Sequence, residues 1–593
     1  MMPFCSYNAV NVLNYEFPHR MQKNGFFMNQ LQERIYSNEY LDLLIPYAYT
    51  TPEEFVASFQ NYDPQIINDD FAVIHVPISL WPINNPENFV YSVVPNLFTT
   101  LDTTSLEAAG ILKAQTQPAL ELKGQGIMIG FLDTGILYTH PAFQSPGNRT
   151  RIIRIWDQTI PSEDNSGPYG YGTEYTEEQI NEALGSTLPL SVVPSTDTDG
   201  HGTYVAGVAA GTEDPVSDFI GAAPLATLAV VRLKEAKQHL KDFYYFSGDI
   251  PVFQETDIMT GVQYLLDLSR KIRMPLILCI ALGSNQGDHM GYTPLDISLR
   301  RLDSLPGVAT VVAAGGEAGK AHHYLGNVEA STAPQSVEIF VQENTKGFFI
   351  ELWGQPPELF SVGFRSPVGE VIPRIPARLG RTENIRFFLQ ETKIYVNYDL
   401  VQNTSASQLV FIRFEKPTPG IWTIDVYVSS RQNGEFHMWL PITGFINPDV
   451  TFLSPNPFTT ITTPGNSVHV VTAAAYDAYT GSLYINSGRG FTRNNQIKPD
   501  LTAPGINLTG PNLRNGYTTK SGTSPAAALT AGSSAQLMEW GLKISQYQYL
   551  SGYEIKNFLI RGADRSEALI YPNREWGYGT LNLYQVFSSI SAT

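Results

Sequence analysis

The sequence predicts an α/β protein built on a doubly wound parallel sheet, preceded by a small α+β unit and interrupted by an inserted β unit. Two observations predict this arrangement. In two parts of the chain, continuous apolar runs of strand length alternate with helical stretches, as buried parallel strands and their crossover helices do. Between those parts, short segments alternate apolar and polar residues and end at Pro and Gly turns, which is typical of antiparallel sheets.

The small α+β unit is predicted at residues 28–100. Strands are predicted at 41–47 and 71–77, where apolar residues cluster. Thr51, Pro52 and two following glutamates predict a helix start, because a hydroxyl caps the helix, proline fits its first position and acids suit its first turn.

The doubly wound domain is predicted at 101–324 and 456–593. Its buried strands are predicted at 126–133, 227–231, 276–282, 308–314 and 468–474. Its helices are predicted near 203–211, 256–272, 294–304, 524–540 and 553–561.

The inserted unit is predicted at 325–455. Val337, Ile339 and Val341 alternate with Glu338, Phe340 and Gln342, and further strand-like runs follow to about residue 428. Many short strands at this spacing predict a β-sandwich or a jelly roll.

Composition excludes some classes of function. The 593 residues include 38 Lys and Arg against 56 Asp and Glu, a formal charge of −18, so we expect no nucleic-acid partner. No apolar run reaches the length of a membrane helix, and we expect no membrane partner. No secretion signal is visible, and the sequence leaves the cellular location open. Residues 1–27 form an irregular extension, and Met21 and Met28 are alternative start residues. Two cysteines, Cys5 and Cys279, do not predict a disulfide framework, and we expect no cofactor.

Three short motifs carry the chemistry. They are Asp-Thr-Gly at 133–135, Asp-Gly-His-Gly-Thr at 199–203 and Ser-Gly-Thr-Ser-Pro-Ala at 521–526. A serine hydroxyl needs a base within hydrogen-bond reach, and that base needs a third group to orient it. We therefore predict that Ser524 attacks, His201 takes and returns the proton, and Asp133 orients His201. A helix beginning at Ser524 would also aim free N–H groups at a developing oxyanion.

In this chain order, Asp then His then Ser, the three motifs resemble those of the subtilases. More specifically, the chain resembles the clostridial Csp subtilases. Supporting stretches are Ser-Gly-Arg-Gly at 487–490, Lys-Pro-Asp-Leu-Thr-Ala-Pro-Gly at 498–505 and Glu-Trp-Gly-Tyr-Gly at 575–579.

The resemblance implies a serine endopeptidase that acts on protein or peptide substrates. It implies that 28–100 is a prodomain that stays associated, with self-cleavage in or near Leu97–Leu101, and that 325–455 is an inserted jelly roll. Ala281, Leu282 and Gly283 match the subtilase strand that pairs with the substrate backbone. In subtilases an asparagine side chain completes the oxyanion hole, but Gly316 occupies its place here, which leaves the Ser524 backbone N–H as the expected donor.

Other interpretations stay open. A catalytically weakened pseudoprotease, kept as a binding or signalling scaffold, is favoured by Gly316 and opposed by the intact triad. A third interpretation gives the inserted unit the main role, as a carbohydrate- or protein-binding module. His322 and His323 could indicate a metal site, but adjacent residues of a strand face opposite ways. Asp197 and Asp199 could indicate a calcium site, but they do not have the spacing of a calcium-binding loop. Structural roles are therefore expected for both pairs, and no metal is predicted.

Overall fold

The structure is a computed structural model that describes residues 30–47, 50–81, 91–100, 109–117, 120–162, 167–328, 333–378, 382–402, 404–429, 434–544 and 549–591. The predicted extension at 1–27 and residue Leu101 lie outside the described residues. In the part of the chain that is described, no helix is both long enough and apolar enough to cross a membrane.

The first described unit is a small three-stranded antiparallel sheet with two helices. Its elements are α1 (Gln30–Tyr36), β1 (Tyr40–Pro46), α2 (Pro52–Ser58), β2 (Gln65–Ile66) and β3 (Phe71–Pro77), with strand order β1-β3-β2. Helix α2 begins where the sequence predicts. The Thr51 side chain accepts from the Glu54 N–H, and the Glu54 carboxylate accepts from the Thr51 N–H, so the cap is reciprocal.

The next part of the chain runs from a short strand through the first half of the main sheet. Its elements are β4 (Leu97–Thr100), α3 (Ile111–Thr116), β5 (Met128–Asp133), β6 (Gln144–Ser145), β7 (Arg149–Thr150), β8 (Ile152–Asp157), β9 (Thr173–Thr176), α4 (Glu177–Gly185), α5 (His201–Ala210), β10 (Thr227–Arg232), α6 (Gln238–Phe243), β11 (Val252–Gln254), α7 (Glu255–Ile272), β12 (Leu276–Ile280), β13 (Leu282–Gly283), α8 (Pro294–Leu302) and β14 (Val308–Ala313).

Eleven strands follow in antiparallel pairs. They are β15 (His323–Asn327), β16 (Gln335–Val341), β17 (Gly347–Gly354), β18 (Phe360–Arg365), β19 (Val371–Ile375), β20 (Thr382–Arg386), β21 (Lys393–Asp399), β22 (Gln408–Glu415), β23 (Gly420–Val428), β24 (Glu435–Trp439) and β25 (Val450–Phe452). They form a six-stranded sheet in the order β15-β24-β17-β22-β21-β20 and a five-stranded sheet in the order β19-β18-β23-β16-β25. On β16 the residues Val337, Ile339 and Val341 are buried and alternate with exposed ones, so one face of this sheet supplies a core.

The chain then completes the main sheet. The last elements are β26 (Val471–Tyr476), β27 (Leu501–Pro504), β28 (Leu508–Pro511), β29 (Tyr517–Lys520), α9 (Thr523–Ile544), α10 (Gly552–Arg561) and α11 (Leu583–Ser591). Strand β26 begins three residues later than the sequence predicts. The carbonyls of Val468 and Val470 instead accept hydrogen bonds from the ammonium groups of Lys556 and Lys498.

The main sheet has eight strands in the order β27-β26-β14-β12-β5-β10-β8-β9. Its first seven strands pair in parallel, and β9 pairs antiparallel with β8 at the edge. This confirms the predicted α/β class with a largely parallel sheet. Strands β5, β12, β14 and β26 are buried throughout, as their continuous apolar runs indicate.

The predicted strand at 276–282 divides at Ala281. Residues up to Ile280 pair within the main sheet, whereas Leu282 and Gly283 leave it and pair with β4. This change of partner places the end of the segment beside the chemistry described next.

Candidate active site

Three elements of the main domain bring Asp133, His201 and Ser524 together. Asp133 ends the buried strand β5, His201 is the first residue of α5, and Ser524 is the second residue of α9. Gly200, which precedes α5, has a φ of 93°, and the neighbouring Gly202 has no room for a Cβ because the Gly135 carbonyl would lie 2.3 Å from it. The small residues around His201 thus let α5 approach the end of β5.

The three side chains form a continuous hydrogen-bonded relay. The Nδ1 atom of His201 lies 2.8 Å from Oδ1 and 2.9 Å from Oδ2 of Asp133, and its Nε2 atom lies 3.2 Å from the Ser524 Oγ atom. All three side chains are buried, with exposed fractions of 2%, 5% and 0% in chain order. With Nδ1–H donating to the carboxylate, Nε2 is the nitrogen that can accept the serine proton.

Asp197 has the structural role expected for it at the start of α5, and it also bonds to Thr134, which its sequence position does not predict. Its Oδ1 atom accepts from the hydroxyl of Thr134, the residue after Asp133, and from the N–H of Gly200. Its Oδ2 atom accepts from the Thr203 N–H at 2.8 Å and the Thr203 hydroxyl at 2.7 Å. Asp197 therefore ties the end of β5 to the first turn of α5, and its carboxylate suits the positive end of that helix.

Asp199 is exposed, and its carboxylate accepts from the His201 N–H at 3.1 Å. Both acids thus serve the start of α5. No group of three or more His, Cys, Asp or Glu among the described residues is arranged to hold a metal ion.

A strand lies in the cleft beside Ser524. Strand β4 is the middle strand of a three-stranded sheet, antiparallel to β11 on one side and to β13 on the other. Thr100 pairs with Leu282 and Thr99 with Gly283, so the C-terminal end of β4 points toward Ala281. The Ala281 carbonyl lies 3.4 Å from the Ser524 Oγ atom. Two of the three predicted substrate-binding residues, Leu282 and Gly283, therefore pair with a strand that runs toward the serine.

Gly316 follows the turn at the end of β14, where the oxyanion-hole donor is expected. A Cβ atom added there would meet no atom within 4 Å. The preceding Gly315 has a φ of 90°, and its N–H donates to the Thr523 hydroxyl at 3.2 Å. The turn is thus anchored to the residue before Ser524, and position 316 faces open space.

Glu317 continues this turn into a buried ionic cluster. Its Oε2 atom accepts from His322 Nδ1 at 2.6 Å and from the Asn285 amide at 3.0 Å, and His322 Nε2 lies 3.1 Å from the Asp449 carboxylate. Burial opposes the charge on His322, but Glu317 and Asp449 raise its pKa to about 10. Burial likewise opposes the Glu317 charge, yet His322 lowers the pKa of that carboxyl.

His323 points elsewhere, as adjacent residues of an extended segment do. Its Nε2 atom lies 2.9 Å from His437 Nδ1, and its ring stacks on Trp439 with centroids 4.7 Å apart. His322 and His323 therefore join two separate clusters, one ionic and one aromatic.

The chain is similar to known proteins over much of its length. The chain matches the subtilase family over residues 124–326 and 426–579. The solved structure of the CspB protease of Clostridium perfringens is 31% identical, with a TM-score of 0.71, and the match covers 81% of this chain and 96% of that one.

Two subtilisin-like proteases of Arabidopsis thaliana, SBT2.1 and SBT2.2, are each 27% identical to this chain, over 219 and 218 residues. The match covers 34% of this chain, which spans about a quarter of the length of these curated relatives. The family match covers more than half of the chain, and the CspB match extends over nearly all of that protease. The chain therefore belongs to the subtilase family of serine endopeptidases.

Proposed function

We propose that this protein hydrolyses peptide bonds with Ser524 as nucleophile, His201 as general base and acid, and Asp133 as the group that orients His201. The observation that carries the proposal is the buried relay from Asp133 through His201 to Ser524, with the distances given above. As the Ser524 Oγ atom bonds to the scissile carbonyl carbon, its proton passes to His201 Nε2, and the carbonyl oxygen becomes an oxyanion.

The proton then passes from His201 to the leaving amine, and the C–N bond breaks to give an acyl-enzyme. Water, deprotonated by His201, attacks the ester, and Ser524 regains its proton when the acid product leaves. The N-terminal end of α9 presents the Ser524 N–H to the oxyanion, whereas position 316 contributes no side-chain donor.

We assign residues 28–100 as a prodomain whose last strand occupies the substrate cleft. The support is the position of β4 between β11 and β13, with its C-terminal end directed toward Ala281. Self-cleavage is expected in or near Leu97–Leu101, at the end of that strand nearest Ser524, and the prodomain is expected to remain bound as a partner.

We assign 325–455 as an inserted jelly roll that braces a catalytic domain formed by 101–324 and 456–593. The gap in the family match between residues 326 and 426 supports an insertion. So do the contacts from this unit to the cleft: the Asn285 amide donates to the Leu440 carbonyl at 3.2 Å, and the Gly287 N–H donates to Glu351 Oε2 at 3.0 Å.

The experiment that tests this proposal is N-terminal sequencing of the purified wild-type chain beside Ser524→Ala. The wild type should yield a second N-terminus close to residue 101, and Ser524→Ala should yield none. If both chains are cut at the same position, another protease makes the cut and the assignment of Ser524 is wrong.

A second candidate function is that of a pseudoprotease, and the open space at Gly316 favours it. A serine-directed fluorophosphonate probe separates the two, because it needs an activated serine. Labelling that is lost in Ser524→Ala supports the peptidase. An unlabelled, uncut wild type supports the scaffold.

A further inference from the structure

The strand in the cleft is held by more than the two strands that flank it. Strand β13 has only two residues and pairs with Thr99 and Thr100, so it does not reach the earlier residues of β4. The edge of β4 that faces β13 would therefore leave a main-chain N–H without a partner at Leu97. An unpaired buried N–H is costly, so its partner is informative.

The partner is a side chain from the loop after β13. The Leu97 N–H donates to Gln286 Oε1 at 2.9 Å, and Gln286 is 2% exposed. The amide oxygen takes the place that a longer β13 would give to a carbonyl.

The preceding residue is held from the other side by Glu255, the first residue of α7. The Asn96 N–H donates to Glu255 Oε2 at 3.3 Å, and the Glu255 N–H donates to the Asn96 carbonyl at 2.9 Å. The second carboxylate oxygen accepts from the Leu295 N–H at 3.1 Å, which fixes the carboxylate against α8.

The inserted β unit fixes the loop that carries Gln286. The residues on either side of Gln286 bond to that unit, Asn285 through the Leu440 carbonyl and Gly287 through the Glu351 carboxylate. The Gln286 carbonyl accepts from the Thr463 hydroxyl at 3.0 Å. Gln286 is thus held at its own carbonyl and at both neighbours, which presents its side chain to the strand in one orientation.

We propose that Gln286 and Glu255 form a main-chain clamp for the substrate, which binds an extended polypeptide at the positions that Leu97 and Asn96 occupy here. This inference rests on the proposed function, with β4 standing for the part of a substrate that precedes the cleaved bond. All the clamp contacts to Asn96 and Leu97 are with backbone atoms, so the clamp selects chain length and extension and not side chains. The substrate class is therefore an unfolded or extended segment that fills at least the five positions of residues 96–100, and short peptides are poor substrates.

The first test is independent of catalysis. It measures amide hydrogen exchange at single residues in the uncleaved Ser524→Ala chain, with and without Gln286→Ala. The Leu97 amide should exchange at least about tenfold faster in Gln286→Ala, while the Phe98 and Thr99 amides keep their protection. Gln286→Glu keeps an acceptor oxygen and should restore protection.

Gln263→Ala is the matched control, because among the described residues the Gln263 side chain bonds to Asp267 of the same helix and to nothing else, and it should change nothing. Unchanged exchange at Leu97 in a folded Gln286→Ala chain overturns the clamp.

The second test addresses substrate choice. Self-cleavage of Gln286→Ala should keep the rate of the wild type and of Gln263→Ala, because the strand is already bound when the reaction starts and the clamp bonds form equally in the ground state and the transition state. A peptide that begins at Asn96 and continues past Leu101 should be cut with a higher kcat/KM than one that begins at Phe98, and this ratio should fall about three- to tenfold in Gln286→Ala, which loses one net hydrogen bond and keeps the Glu255 contacts.

Equal kcat/KM for the two peptides in the wild type overturns the substrate assignment. A wild type that cuts neither itself nor either peptide contradicts the proposed function instead, and the exchange experiment still decides on the clamp.

Discussion

Replacing Gly316 with asparagine should convert a poor oxyanion hole into a better one. A donor that stabilises the oxyanion acts on the transition state, so kcat should rise while KM changes little. Removal of one such side-chain donor from subtilisin costs about 2.7–4 kcal/mol. Ordering a new side chain costs about 1 kcal/mol, and position 316 has no neighbour within 4 Å of a built Cβ atom to hold the side chain in place. The net gain of about 1.7–3 kcal/mol corresponds to a 20- to 150-fold rise in kcat, at about 1.36 kcal/mol for each factor of ten.

The assay is steady-state hydrolysis of one peptide by the wild type, Gly316→Asn and Gly316→Ala. The alanine variant adds a Cβ in the same open space without a donor, so it should keep the wild-type kcat. Equal kcat for asparagine and alanine, in chains that both label with the serine probe, would mean that the amide does not reach the oxyanion or that another group already serves it. A parallel rise in both variants would attribute the gain to backbone stiffening at position 316.

Three other outcomes are expected. Ser524→Ala and His201→Ala should each abolish peptidase activity without unfolding the protein, because side-chain truncation at these positions spares the core; unchanged hydrolysis by either contradicts its role. Burial raises the pKa of Asp296 to about 8, so its contribution to stability is fully present below its unfolded pKa and is lost progressively as the pH rises from that value to about 8. Asp296→Asn should therefore become more stable relative to the wild type as the pH rises from about 4 to 8 in thermal melts, and a constant difference in midpoint over this range would refute this. The Arg413 guanidinium of the inserted unit lies 4.2 Å from the ring centroid of Phe243 in α6 of the main domain, so Arg413→Lys should lower the free energy of unfolding by about 1–2 kcal/mol in denaturant titrations. The exposed Arg374→Lys should not, and equal effects would argue against bracing.

Local signals carried much of the fold and the triad. The buried strands of the main sheet can be predicted from the sequence because both faces of the sheet are covered, and strands buried on both faces are continuous apolar runs. Asp133, His201 and Ser524 can be recognised because each needs small neighbouring residues for the elements of the site to approach closely. A glycine or alanine beside a polar residue can be read directly from the sequence.

Contacts between distant residues left no such signal. Asp197 resembles any acid before a helix, and its bond to Thr134 exists only because β5 and α5 meet in space. Leu97 and Gln286 are 189 positions apart, and glutamine in a loop has no spacing that predicts a main-chain partner. The contacts of His322 with Glu317 and Asp449 likewise have no sequence spacing that predicts them.

The clamp and the missing donor together predict a particular kind of catalyst. Main-chain bonds from Gln286 and Glu255 form equally in the ground state and in the transition state, so they lower KM without raising kcat. Gly316 has no side chain to donate a hydrogen bond to the oxyanion, a bond that would form only in the transition state. The enzyme should therefore bind its substrate tightly and turn it over slowly. This combination suits cleavage within the same chain, where a high effective concentration offsets weak catalysis. The two variants should therefore separate kinetically: Gly316→Asn should change kcat, and Gln286→Ala should change KM for long peptides. If Gln286→Ala instead lowers kcat and leaves KM unchanged, the clamp tightens during reaction, and the division between binding and catalysis drawn from these contacts is wrong.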